Sequence, residues 1–372
     1  MTACMDLFAR TPHSSEFTDR FARIGPPGAF AVLAALAALI LLGLSGTIGA
    51  PGASSNAAAG QDLILYHHII DDVRAGESYY PAATREQRKQ GYPLRPFVTV
   101  RFPTLAVAMA ALPAESARRL SLSALALTVL AAWAWRLRSF TAGPLHLGAM
   151  IALMSTGVMF AIIESAYLMH ECWAGLLIAL SLAIWRPGRW TASLVVGLAA
   201  VCIRELAAPY LLAIAVMAWR DRAWTEAAAW AGGLASFAIL MILHATAAQP
   251  WVRPSDPISA SWLAFGGWPQ LLAVLRLNAV LANAPAWAAA LFAPFVMLGL
   301  IARGGRLGDR LALVVIGYLA AFTMVGRSNN LYWGLMITPL CPIALGFAWP
   351  AFVSLMQRAF GAVRPILKFR QV

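Results

Sequence analysis

Long apolar runs alternate with short polar connections along this chain. The first run has no charge from Gly28 to Ile48, which is long enough for a helix to cross a hydrocarbon core of about 30 Å. Continued along the sequence, the pattern predicts about ten spans, at 28–48, 118–135, 145–163, 171–185, 190–203, 206–219, 226–245, 285–302, 311–325 and 333–356. The runs at 171–185, 190–203 and 206–219 are short for a span, as expected of tilted helices around a cavity. The first run reads as a signal anchor, because its leader and apolar core both exceed the usual cleaved h-region of about 7–15 residues.

Two polar stretches are longer than a helical hairpin needs. The first, 49–119, opens with the flexible Gly49-Ala-Pro-Gly-Ala-Ser-Ser-Asn56, a linker composition. A helix is predicted over Gln61–Ala75 and ends at Gly76. Its apolar residues Leu63, Tyr66, Ile69, Ile70 and Val73 recur at helical spacing, as for a helix lying on the membrane or on the bundle. Glu77–Arg101 reads as polar and turn-rich. Pro103–Leu112, stopped by Pro113, is too short to span and reads as interfacial or partly re-entrant. The second stretch, 246–284, contains the turn-rich Pro250–Pro257 and a surface helix around Pro269–Leu281. The domain reading is therefore a tail at 1–27, a membrane domain at 28–356 and a basic tail at 357–372.

Composition agrees: 60% of the 372 residues are hydrophobic and 12% charged, about half the charge of a soluble domain. A soluble enzyme, a disordered chain and a secreted disulfide scaffold are excluded. Cys4, Cys172, Cys202 and Cys341 have no metal or disulfide spacing. The net charge of +12 sorts by side. With the N-terminus in the cytoplasm, Arg136/Arg138, Arg186/Arg189, Arg220/Arg222, Arg303/Arg306/Arg310 and the C-terminal Arg358, Arg364, Lys368 and Arg370 all fall inside. This is the positive-inside pattern, so the basic balance calls for no nucleic-acid partner. Both termini are expected in the cytoplasm and 49–119 outside.

Ionisable residues near span ends are costly and mark function. Here they gather on the outer side: Asp62, His67, His68, Asp71, Asp72, Glu77, Arg101, Glu164, His170, Glu171, Arg204, Glu205, His244, Asp256 and Arg327. Their convergence predicts a polar cavity open there. Asp62 sits soon after the first span. A carboxylate there suits a general base or a metal ligand, and equally a helix N-terminus that favours an acid. His67/Asp71 and His68/Asp72 are i, i+4 pairs; they suit a wetted helix face or a divalent metal, Mg or Mn, with His68 and Asp72 the candidates. Glu164, His170 and Glu171 crowd a tight turn, as a hydrated connection or as cavity lining. Arg204-Glu205 forms either an internal ion pair or, through Arg204, a lipid-phosphate contact. Arg327, with Asn329/Asn330 following, reads as a polar outer turn in an aromatic belt, or as a turn whose amides bond sugar hydroxyls. P-loop, GxSxG, HExxH and dinucleotide motifs are absent.

The segment Gln61-Asp-Leu-Ile-Leu-Tyr-His-His-Ile-Ile-Asp-Asp-Val-Arg-Ala-Gly-Glu-Ser-Tyr-Tyr80 resembles the first outer loop of the GT-C class of membrane glycosyltransferases. That loop has an acid shortly after the first span, a Tyr, an amphipathic helix, a Gly and an aromatic pair; here these are Asp62, Tyr66, Gly76 and Tyr79/Tyr80. Tyr92-Pro-Leu-Arg-Pro96 and Arg101-Phe-Pro-Thr-Leu105 are similar to the Pro-rich approach to a short helix in the bacterial mannosyltransferase-like branch. The likeness is close from Gln61 to Leu105 and elsewhere extends only to topology. It implies an all-α polytopic membrane bundle of GT-C type in a bacterial cytoplasmic membrane. It implies a sugar donor linked to polyprenyl phosphate, a lipid or glycan acceptor, and Asp62 in the place of the catalytic acid. Tyr66, Tyr79, Tyr80, Glu164, His170, Glu171, Arg204, Arg327 and Asn330 are then the expected substrate and lipid-phosphate contacts. This chain departs from the class in its short length, its lack of a soluble C-terminal domain and its lack of a motif for one sugar. A transporter or lipid flippase, expected to show inverted repeats and a midplane site, and a non-catalytic envelope-assembly protein are the competing readings.

Overall fold

The computed structural model describes residues 18–46, 54–141 and 143–361. Most of the N-terminal tail, the start of the outer linker and most of the basic C-terminal tail lie outside the described residues. What is described is an all-α bundle with one two-residue strand pair, β1 (Thr18–Asp19) with β2 (Arg303–Gly304).

All ten predicted runs carry a helix. In chain order the helices are α1 (Pro26–Gly46), α2 (Ser54–Arg74), α3 (Tyr79–Lys89), α4 (Thr104–Ala110), α5 (Glu115–Leu137) and α6 (Pro144–Val158). There follow α7 (His170–Ile184), α8 (Thr191–Ile203), α9 (Ala208–Arg220) and α10 (Trp224–Ala248). The last five are α11 (Gly267–Leu275), α12 (Ala279–Ala282), α13 (Ala286–Ala302), α14 (Gly305–Met324) and α15 (Cys341–Phe360). Among the described residues, six stretches are long and apolar enough to cross a membrane: Pro26–Ser45, Glu115–Leu137, Pro144–Ile162, Trp224–Trp251, Gly305–Met324 and Cys341–Phe360. Shorter apolar helices lie at Phe97–Ala110, His170–Ile184, Thr191–Ile203 and Ala286–Ala302.

Where membrane helices meet, small residues let backbones close in. A Cβ added at Gly299 on α13 would stand 1.8 Å from the Ala344 carbonyl of α15, so only glycine permits that crossing. Gly175 on α7 does the same for a 3-10 segment, Ser328–Met336, whose Leu335 carbonyl would lie 2.2 Å from such a Cβ. That segment packs against both α7 and α2. Together with the turn at 337–340, it replaces the first third of the predicted span 333–356. The last helix starts only at Cys341, with Pro342 in its first turn, where a missing N–H costs nothing.

Other expectations need correction. Residues 54–56, read as the end of the flexible linker, belong to α2, which also takes in 57–60 ahead of the predicted start at Gln61; Ala57-Ala58-Ala59 has high helix propensity. The stretch read as turn-rich contains α3, whose buried face is Tyr79, Ala82, Ala83, Thr84, Glu86 and Gln87. The surface helix expected at Pro269–Leu281 is broken into α11 and α12, and Leu271, Leu272, Val274 and Leu275 of α11 are buried. Arg310, read as an orientation charge in a connection, is buried on α14. It pairs with Asp221 at 2.7 Å and stacks 3.9 Å over the Trp185 ring; a guanidinium so paired and stacked tolerates burial.

A latch joins α3 to the loop after α10. Arg88 grips Asp256 in bidentate fashion, Nε to Oδ1 and Nη2 to Oδ2 at 2.8 Å each, and the Arg253 N–H donates to the same carboxylate at 2.7 Å. The Arg88 bonds hold the Asp256 carboxyl down from the usual 3.8 to about 2. A lowered carboxylate pKa adds stability above the unfolded value and loses it as pH falls through the folded one. The latch is therefore expected to stabilise the protein by on the order of 2 kcal/mol above pH about 4 and to fade towards pH about 2. Thermal unfolding in detergent of the wild type and Asp256→Asn should show a gap at pH 6 that closes near pH 2; a gap independent of pH would refute it.

Candidate functional site

The site grows from two faces of α2. Leu65, Ile69 and Ile70 are buried against the bundle, and Asp62 and Tyr66, at i and i+4, share that side. Across from Asp62, Tyr92 donates its hydroxyl to the carboxylate at 2.6 Å. Burial first, and then the bond to Asp62, push the Tyr92 hydroxyl above the usual phenol value, so it stays a donor. Among the described residues Asp62 has no cationic partner.

Behind Asp62 runs a chain of alternating charge. The Arg101 Nε donates to the Tyr66 hydroxyl at 3.2 Å, and its Nη1 lies 3.2 Å from Glu205. Glu205 also pairs with Arg204. Arg204 Nε in turn stands 2.6 Å from Glu171, close enough for an ion pair but misaligned for a hydrogen bond, since neither atom finds a hydrogen-bond partner. The Arg204 and Glu171 side chains are 1% and 4% exposed. The Tyr66 ring meets His170 edge-on at 4.8 Å, and the Arg204 guanidinium lies 5.9 Å from the Trp333 ring centre. Two guanidiniums thus face two glutamates, a balance that makes so deep a burial tolerable.

Arg101 is held through its backbone. Three consecutive carbonyls each accept from a side chain: Thr99 from Gln87 at 2.9 Å, Val100 from His244 Nε2 at 3.0 Å, and Arg101 from Tyr79 at 2.7 Å. A carbonyl only accepts, so the His244 proton is assigned to Nε2 and its Nδ1 accepts from Tyr80 at 3.1 Å,. α3 and α10 together therefore fix where the Arg101 guanidinium emerges.

The predicted residues divide accordingly. Asp62, Tyr66, His170, Glu171 and Arg204 come together. Tyr79 and Tyr80, an edge-on pair at 5.4 Å, serve the backbone behind them. Glu164 does not join: its side chain is 76% exposed and pairs with Arg119. The Asn330 side chain caps its own turn by accepting from the Arg327 N–H at 3.2 Å, while the buried Arg327 Nε has no hydrogen-bond partner. Arg101 and His244 stood among the outer ionisable residues without a role, Glu205 was expected as the ion-pair partner of Arg204 and is found as one, and Tyr92 carried no chemical signal. The expected open cavity is nearly filled: the space among Tyr66, Tyr79, Arg101 and His170 is about 10 Å³, room for one water.

The wider hollow lies on the other face of α2, about 610 Å³ between α2 and α3, lined by Ile64, His68, Asp71, Asp72, Glu86, Lys89 and Gln90. His67 and Asp71 pair at 3.0 Å as spaced. His68 and Asp72 do not meet: His68 lies 3.7 Å from Glu86 and Asp72 pairs with Arg85 at 2.6 Å. A divalent ion at that pair would have to displace the Arg85 guanidinium, so these residues do not form a ready metal cradle. Among the described residues no three His, Cys, Asp or Glu side chains gather as a metal would need. No protein-family model, curated protein or solved structure matches the chain.

Proposed function

We propose that the protein is an integral-membrane glycosyltransferase of GT-C type. In this reading it transfers a sugar from a polyprenyl-phosphate-linked donor to a lipid or glycan acceptor on the outer side of a bacterial cytoplasmic membrane. The observation that carries the reading is the half-buried Asp62 carboxylate, oriented by Tyr92 at the edge of the Arg101–Glu205–Arg204–Glu171 chain, whose Arg204 and Glu171 are buried. Asp62 is the general base that takes the proton of the acceptor hydroxyl. A base must be oriented and within reach of that proton, and the Tyr92 bond supplies the orientation. The ten helical runs are the spans, with the termini inside and 49–119 outside; the arginine distribution along the sequence supports that sidedness. The runs outside the six long stretches, 171–185, 190–203, 206–219 and 285–302, then cross at a tilt or in part.

The test is sugar transfer by the purified protein in sealed vesicles of defined orientation. Donor supplied to the face bearing 49–119 is expected to support transfer, and donor confined to the opposite face is not. Transfer from neither face would remove the glycosyltransferase reading, and transfer from the wrong face would reverse the orientation.

A further inference from the structure

A second hollow lies away from Asp62, at the C-terminal end of α10. It holds about 420 Å³, within the size range of ligand pockets, and its wall is mostly apolar with a few polar groups. Met241, Ile242 and Ala245 of α10, with Leu94, Phe97 and Val252, form the apolar wall, and Arg95, Thr246 and Gln249 supply its polar groups. From Met241 to Gln249 the helix rises about 12 Å. The apolar part opens on the helix face that exposes Ile239, Ile242 and Leu243, the side a lipid would touch if Trp224–Trp251 crosses a membrane. Exposed Trp251 at the end of that stretch is the kind of residue that sits at headgroup level.

Arg95 is pre-set for an anion there. Its N–H donates to the Pro257 carbonyl at 3.3 Å, its carbonyl accepts from Ser259 N–H at 2.7 Å, and its Nε donates to the Asp256 carbonyl at 2.9 Å. With backbone and Nε fixed, little freedom is left to lose on binding. The terminal nitrogens make no bond to a described residue. The carboxylate of Asp256, whose own carbonyl accepts from Arg95, is already neutralised by Arg88. A guanidinium fork held in the wall of an apolar groove matches a phosphate head with an acyl chain beside it,.

We infer that this groove binds one anionic glycerophospholipid, its phosphate on Arg95 and an acyl chain along Met241–Ala245 of α10. The site is separate from Asp62, and the inference does not rest on the sugar-transfer reading. Phosphatidylglycerol and phosphatidylcholine serve as probes, with retention on the full-length protein measured by native mass spectrometry after detergent washing. One phosphatidylglycerol is expected to stay bound where phosphatidylcholine is washed away. Arg95→Gln should lower retention about tenfold, and Arg95→Lys, which keeps the charge but not the fork, should lower it less. Ala245→Phe fills the groove while leaving Arg95 and its bonds in place, so it should also release the lipid without lowering the unfolding temperature. Equal retention of phosphatidylcholine would overturn the inference, as would undiminished retention in both Arg95→Gln and Ala245→Phe. Preferential displacement of phosphatidylglycerol by polyprenyl phosphate would also overturn it and assign the groove to the isoprenoid chain.

Discussion

Asp62→Asn is expected to lower sugar transfer by about 10²–10⁴-fold while leaving the protein folded and inserted. The amide matches the carboxylate in size, and its oxygen can still accept the Tyr92 hydroxyl that bonds Asp62 at 2.6 Å, so the contact that orients the side chain survives. What is lost is the ability to take a proton. Asp71→Asn and Asp72→Asn are the matched controls. Asp71 is half exposed beside His67, and Asp72 leans on Arg85 across the hollow on the other face of α2; exposed ion pairs of this kind contribute little. Both variants should retain near-normal transfer. Tyr92→Phe removes the orienting hydroxyl but not the base, so it should fall between Asp62→Asn and the wild type. Full activity in Asp62→Asn with loss in a neighbour would move the role to the His and Asp residues lining the hollow. Full activity in all three would leave Glu171 as the next carboxylate to test, ahead of Glu164, which points outward to Arg119.

How much of this was legible in the sequence depends on the scale of the interaction. Apolar run length is local, so each of the ten runs is found as a helix to within a few residues at most ends. The failures share one cause, a weak local signal. α3 was missed because its buried face is built from alanines, Glu86 and Gln87 rather than large aliphatic side chains. The end of the 3-10 segment, residues 333–336, is absorbed into a predicted span because Trp333, Leu335 and Met336 begin the apolar run, and hydropathy does not tell a 3-10 turn from an α-helix. The convergence of ionisable residues was visible as composition, whereas their pairing was not. Tyr92 reaches Asp62 across 30 positions and Arg101 reaches Glu205 across 104, and no spacing rule spans such distances. The i, i+4 rule served His67 and Asp71 but failed for His68 and Asp72, because Glu86 and Arg85 of α3 compete for them from outside the helix.

Arg204→Gln is expected to be the most destabilising single polar change in the site, costing on the order of 3–5 kcal/mol. The reason lies in who is left behind. Glu205 keeps Arg101 at 3.2 Å, but Glu171, itself buried, loses the cation 2.6 Å away. An uncompensated carboxylate in so enclosed a place is the expensive outcome, whereas the intact pair is close to neutral against apolar replacements. That asymmetry separates the pair from an ordinary loss of contact. Glu171→Gln added to Arg204→Gln should restore a large part of the stability, since it removes the orphaned charge without restoring any attraction. Arg204→Met with Glu171→Leu should restore at least as much. The measurement is a double-mutant cycle by equilibrium unfolding in detergent, with the coupling between positions 171 and 204 as the readout. If Arg204→Gln alone stays within about 0.5 kcal/mol of the wild type, as an ordinary surface substitution would, then Arg204 is not a buried counter-ion. In that event an external anion, such as a lipid phosphate, becomes the better account of its place in the bundle.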